Sequence, residues 1–243
     1  MNKATSIDSR YLTFAGMVTA NITAVPIEVV EFYLQNENRE QFPSALRRGF
    51  VISGVKETKP DNNLAGWAEF YEKEFGIILD TTSLKIPVTR KDFDCLVVVA
   101  AGLSMNQVYD ACAKRFRCYR YTDDLDASVT VNDRKSKEAY AIWVRDRIEA
   151  DEEHKEKSAD DLKSASIPGI TLLERMILEL KYWKDTGKHL DIKNWTLCSG
   201  SRDSGGDVPG VCWGYDRFSV RWYYASDRYG NLRVRETVSA RAA

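Results

Sequence analysis

Few side chains in this sequence are placed where they could do covalent chemistry. Only two histidines are present, His154 and His189. His189-Leu190-Asp191 has the spacing of a base with an orienting carboxylate, since positions two apart can meet in a turn. No nucleophile or second acid accompanies the pair, and a histidine just past a helix end is also favoured by the helix dipole. Asp123-Asp124-Leu125-Asp126 could chelate a divalent ion, as could the acid-rich stretch from Asp146 to Asp161. Both lack the glycine turn and alternating oxygen ligands of a calcium loop, and both read as solvated charge. Gly205-Gly206 stands outside any phosphate-binding glycine pattern. The five cysteines, Cys95, Cys112, Cys118, Cys198 and Cys212, form no C-x-x-C pair. They read as reduced, mostly buried thiols rather than disulfides or zinc ligands. The expectation is a chain that is not an enzyme, with no catalytic residue, no metal and no cofactor.

Charge narrows the partners. The net charge of -1 over 243 residues exerts no pull toward phosphates, so nucleic acid is not an expected partner. From Trp195 to Ala243 there are seven arginines, five acidic residues and no lysine, a weak electrostatic footprint. No run reaches 18 apolar residues; the longest, Cys95–Leu103, reads as a buried strand, so no membrane partner is expected. The N-terminus lacks a basic start followed by an apolar run, which reads as no signal peptide and a cytoplasmic location.

The surrounding pattern predicts both helices and strands. Residues 26–35 and 38–48 read as short helices, and Lys59–Asn63 as a break. Leu64–Phe75 repeats apolar residues at helical spacing and stops at Gly76. Leu84–Val88 and Phe93–Ala101 read as strands, the second covered on both faces. Ser104 caps a helix to Phe116, and Arg117–Thr122 returns as a strand, giving a small α/β unit over residues 1–122. Residues 123–138 read as a linker. Ala139–Val144 is a strand. Thr171–Lys184 is the best helix, with Thr171 and Glu174 forming a capping box and Gly187 the stop.

From Trp195 onward the period changes to two. Val211 with Trp213, Val220 with Trp222, and Leu232 with Val234 are expected inward. Gly210, Cys212, Gly214, Ser219, Arg221, Tyr223, Arg233 and Arg235 are expected outward. The outward set and its turns are rich in Tyr, Arg, Ser, Gly, Asp and Asn, the composition of adaptable binding surfaces. From Gly200 to Arg235 there is no Lys, Glu, Gln or Met, although the other 207 residues hold 16, 16, 3 and 4 of them. At that frequency about seven would fall in the segment by simple proportion, in a setting where Lys and Glu are common. Those four residues, with Trp, are the ones whose codons end only in a purine. A segment randomised at the first two codon bases with a fixed pyrimidine third base could not produce them. Trp213 and Trp222 would then be fixed framework.

The segment TLCSGSRDSGGDVPGVCWGYDRFSVRWYYASDRYGNLRVRETVS resembles the variable region of proteins diversified by diversity-generating retroelements, as found in hypothetical proteins of candidate-phyla bacteria. With the strand at 139–144 and the helix at 171–184, the resemblance covers about the last 105 residues. In that family, adenines of template AAC or AAT codons are mutagenised. The resemblance implies an α+β chain in which a C-type lectin-like domain over residues 139–243, with its variable region at about 200–235, follows the small α/β unit. It implies a non-enzymatic display protein that binds a protein ligand. The contact residues would be Asp203, Ser204, Tyr215, Asp216, Arg217, Ser219, Arg221, Tyr223, Tyr224, Asp227, Arg228, Tyr229 and Asn231. Two alternatives stay open: an enzyme with a site near His189 and Asp191, and a phage-derived structural protein using the C-terminal sheet as a subunit interface.

Overall fold

In chain order, the computed structural model describes residues 64–240, which lie in a compact unit starting at Asn62. The short helices expected at 26–35 and 38–48 lie outside the described residues. Helix α1 (Leu64–Phe75) buries Trp67, Phe70 and Tyr71 and ends at Gly76, whose φ of 66° suits a residue without Cβ. Strand β1 (Cys95–Val99) is buried on both faces from Leu96 onward. Helix α2 (Met105–Ala113) starts at Ser104, whose hydroxyl accepts the Gln107 N–H in a full capping box. Strand β2 (Cys118–Arg120), helix α3 (Leu125–Ser128) and strands β3 (Val131–Asn132) and β4 (Tyr140–Val144) follow. A short 3-10 turn at Glu152–His154 and helix α4 (Ala159–Ser164) lead to helix α5 (Leu172–Thr186). The rest is β: β5 (Trp195–Leu197), β6 (Ser201–Arg202), β7 (Val208–Gly214), β8 (Arg217–Tyr223), β9 (Leu232–Val234) and β10 (Val238–Ser239).

The strands form three sheets, ordered β1-β4-β10, β2-β8-β7-β5-β9 and β3-β6. The architecture is mixed α+β. The expected boundary between residues 122 and 139 is corrected by this pairing. β1 is antiparallel to β4, and β2 runs parallel to β8, so strands from before residue 122 complete both larger sheets. Residues 123–138 are not a linker either. Leu125 is fully buried, and Arg134 donates to Glu174 at 2.6 and 2.8 Å. The strand expected at Leu84–Val88 does not form. Pro87 has no N–H to give a ladder; its carbonyl instead accepts the Trp143 indole N–H at 2.8 Å.

Helix α5 touches β1, α2 and β7 and carries the core. Its capping box forms as expected: Thr171 Oγ1 accepts the Glu174 N–H, and Glu174 Oε2 accepts the Thr171 N–H. The apolar face buries Leu172, Leu173, Met176, Ile177 and Leu180. The polar face is buried too. Arg175 reaches Glu179 at 2.8 Å and Asp191 at 2.9 Å, and Arg235 meets the other Asp191 oxygen at 2.7 Å. All four groups are at most 1 % exposed. Leaving one such charge unpaired costs about 3–5 kcal/mol, so this network fixes α5 against the C-terminal strands.

Candidate functional site

The β7–β8 hairpin sets the geometry. Its register pairs Val208 with Tyr223, Gly210 with Arg221, Cys212 with Ser219 and Gly214 with Arg217. Side chains alternate across a strand, so these residues share one face and Val211, Phe218 and Val220 share the other. The second face is buried in the main core with α5. Trp213 and Trp222 lie on that face as expected, but half-buried rather than enclosed.

The first face receives two residues from outside the C-terminal hairpin. β2 places Tyr119 opposite Ser219, and β5 lies beside β7 and supplies Trp195. The Tyr119 ring lies 4.4 Å from the Arg217 guanidinium and 5.8 Å from that of Arg221. Arg221 in turn lies 5.6 Å from Trp195, and Trp195 meets Tyr223 edge-on at 5.6 Å. The result is a row of arginine and aromatic groups along the sheet. The guanidiniums of Arg217 and Arg221 make no ion pair or hydrogen bond among the described residues, and the Nε of each is buried without a partner. Cation–π contacts of about 0.5–2 kcal/mol each hold the guanidiniums instead.

At the β8 end of the row the face opens into a cleft of about 430 Å³. Tyr121, Trp222, Tyr223, Tyr224 and Tyr229 supply its aromatic walls. Asp207, Asp227 and Arg221 supply its charge. Tyr121, Tyr224 and Tyr229 expose 68 %, 69 % and 56 % of their surface, which is high for rings with partners. Burial pushes the Tyr223 phenol above the ordinary range. The ring lies directly over Gly210, where any Cβ would stand 2.4 Å from it. Glycine is needed there because the aromatic ring takes the side-chain space.

Of the expected contact residues, Arg221, Tyr223, Tyr224, Asp227 and Tyr229 come together in this cleft. Arg217 lies on the same face nearer the hairpin tip. Tyr215 and Asp216 form that tip. They are exposed, but at the opposite end of β8 from Tyr223, about 20 Å away for seven extended residues. Ser219 is corrected: it is 3 % exposed, because Tyr119 from β2 lies beside it. Cys212 and Arg235, also expected outward, are buried. Cys212 lies across from Ser219, and Arg235 is drawn inward by Asp191. Asp203 works for its own loop, accepting the N–H groups of Gly205 and Asp207 at 2.8 Å each. Ser204 is exposed beside it. Asp227 accepts the Tyr224 N–H at 3.0 Å. Arg228 is bidentate to Asp161 on α4, at 2.8 Å for both bonds. Asn231 is exposed, and its carbonyl accepts the Trp195 N–H.

The His189 and Asp191 pair does not assemble. His189 Nδ1 meets Glu179 at 2.8 Å, and its ring stacks on Trp213 with centroids 3.3 Å apart. Asp191 is buried between Arg175 and Arg235. The acids at 123–126 do not converge on a common point. Asp124 caps α3, while Asp126 accepts the N–H groups of Met105 and Asn106 at the start of α2. A cluster with metal-ligand spacing does form from Asp151, His154 and Glu236, whose ligand atoms lie within 4.8 Å of one another. Arg145 donates to Asp151 at 2.5 Å and to Glu236 at 3.0 Å, and Arg90 also pairs with Glu236. The guanidiniums balance both carboxylates, and a divalent cation would have to displace them.

The contributions of Tyr119, Tyr121 and Trp195 were not foreseen. Arg117–Thr122 reads as a strand in the sequence, but its partner lies about a hundred residues away and no local pattern names it. Comparisons of the chain with protein-family models, curated proteins and solved structures found no match.

Proposed function

We propose that this chain is a non-enzymatic ligand-binding protein that displays the surface of residues 200–235, diversified by a retroelement, to a protein ligand. One observation carries the reading. Within that segment Val211, Phe218, Val220, Leu232 and Val234 are buried as framework, while Arg221, Tyr223, Tyr224, Asp227 and Tyr229 gather round one open cleft whose wall Trp222 shares. Tyrosine and arginine dominate binding hot spots because they offer large contact area at low entropic cost. Under this reading the sheet that carries them belongs to a C-type lectin-like domain.

The hairpin tip adds support. Tyr215 and Asp216 both hold positive φ, at 55° and 53°. Asparagine tolerates that conformation better than most residues, and Asn-Gly is the favoured turn for it. Tyr and Asp codons with a pyrimidine third base differ from AAC and AAT only at the first base. Both residues are therefore one adenine substitution away from the asparagine that the turn prefers.

The test is genomic. The reading expects a near-copy of codons 200–235 beside the gene, differing only where that copy carries adenine, together with a reverse transcriptase gene. Absence of both from the intact locus overturns the diversification.

A further inference from the structure

We propose that the cleft at the end of β8 takes a cation, the ammonium or guanidinium side chain of a protein ligand, held between tyrosine rings and the Asp207 carboxylate. This inference rests on the binding reading above and names the chemistry of that site.

Charge is the first argument. Asp207 is half-buried at the cleft wall, and its carboxylate has no hydrogen bond or cation among the described residues. Burial, and then the neighbouring carboxylates of Asp203 and Asp227, make its ionised form less favourable than usual. Those two neighbours are engaged by backbone N–H groups, which carry no net positive charge. Arg221 does not supply the missing cation. It makes no ion pair among the described residues, and its guanidinium stacks on Tyr119 and Trp195. A cation entering the cleft would relieve three like charges at once.

The walls are the second argument. The negative faces of tyrosine and tryptophan rings attract cations within about 6 Å, and cages of such rings are a recurrent means of holding alkylammonium groups. Tyr121, Tyr224 and Tyr229 keep more than half of their surface open around Asp207. The volume of about 430 Å³ lies within the roughly 300–1,000 Å³ typical of ligand pockets. An anionic group would find one guanidinium already stacked on two rings and two carboxylates opposing it.

The experiment titrates the full chain with tetramethylammonium chloride and, separately, with N-acetyl-arginine amide. Ring resonances of labelled tyrosines are followed by NMR at constant ionic strength. The expected result is saturable shifts of the cleft tyrosines with a Kd on the order of 1 mM. Asp207→Asn and Tyr224→Ala should each weaken binding by about fivefold, roughly 1 kcal/mol. Asp110→Asn, on the exposed side of α2, is the charge-matched control and should bind as the parent does. Near-UV circular dichroism confirms that each variant is folded. Three results overturn the proposal: no saturation by either cation, saturation that neither cleft variant changes, or tighter binding of N-acetyl-aspartate amide at the same rings. The titration reports on the cleft alone and the genomic test on diversification alone, so failure of one is distinguishable from failure of the other.

Discussion

Replacing Gly210 by alanine probes the contact that joins the hairpin backbone to the edge of the cleft. A methyl group at this position would stand 2.4 Å and 2.6 Å from two carbons of the Tyr223 ring and 3.7 Å from Trp195. Carbon atoms rest about 3.5–4.0 Å apart, so something must move by about 1 Å. The Tyr223 ring is half-exposed and can swing outward, whereas Gly210 is held by β8 on one side and β5 on the other. The swing breaks the edge contact with Trp195, worth about 0.5–1.5 kcal/mol. It also takes Tyr223 off its rotamer, at about 0.5–1.5 kcal/mol. Alanine returns about 0.4–1 kcal/mol by restricting the unfolded chain. The balance is a loss of about 1–2 kcal/mol, read as a lower urea midpoint. The same swing exposes the phenol, so its titration should fall back toward the ordinary value near 10. In a Tyr223→Ala background the clash is gone, and Gly210→Ala should become neutral or stabilising by up to about 1 kcal/mol. A single Gly210→Ala variant as stable as the parent, with an unchanged tyrosine titration, would refute the reasoning.

Three further outcomes follow from other parts of the molecule. Burial alone would raise the Glu236 carboxyl, but hydrogen bonds from His154, Arg90 and Arg145 outweigh it and hold it at about 2. A depressed folded value gives stability that is present above the unfolded value near 4.3 and is lost as pH falls toward 2, about 3 kcal/mol in all. Glu236→Gln should therefore be less stable at neutral pH and show a flatter acid limb in urea melts between pH 5 and 2. Burial pushes the thiols of Cys95, Cys118 and Cys212 up to about 12, and those of Cys112 and Cys198 are pushed up as well. A disulfide reagent at pH 8 should leave the buried Cys112, Cys198 and Cys212 unreactive until denaturant is added, then titrate five in all; rapid reaction of any of these three in the native chain would contradict this burial. Tyr215→Asn should raise stability by about 1 kcal/mol, because asparagine relaxes the positive φ and Tyr215 is 91 % exposed; a loss of stability would mean that the ring makes a contact the fold depends on.

The helices and their caps were legible in the sequence because their determinants are local. Thr171 and Glu174 are three residues apart, and Gly187 closes the same helix. The period-two pattern likewise placed Val211 and Val220 on an inward face, and they are buried together. What failed was non-local. The polar stretch at 123–138 reads as a linker because nothing nearby shows that Arg134 pairs with Glu174, forty residues on. Cys212, Ser219 and Arg235 were expected outward by alternation alone. Alternation assigns a residue to a face but does not reveal what covers that face, and Tyr119 and Asp191 do so from distant segments. The candidate site was half legible for the same reason: its tyrosines on β8 and the following loop were foreseen, its wall from Tyr121 and the Trp195 ring beside Arg221 were not.

The positions in the C-terminal segment thus divide by what the fold asks of them. Asp203 holds a turn through two backbone bonds, Asp227 holds another, Arg228 ties the loop to α4, and Ser219 is covered. Changing these disturbs the surface by moving its supports. Tyr215, Tyr224 and Tyr229 expose most of their side chains and bear no such duty beyond their backbone, so their identity is free to vary at little cost to stability. Tyr223 stands between the groups, because its ring fills the space over Gly210 while its edge forms the cleft. On the proposed reading, exchanges at Tyr215, Tyr224 and Tyr229 would cost the fold little, whereas exchanges at Asp203, Asp227 and Arg228 would move the turns that aim those side chains.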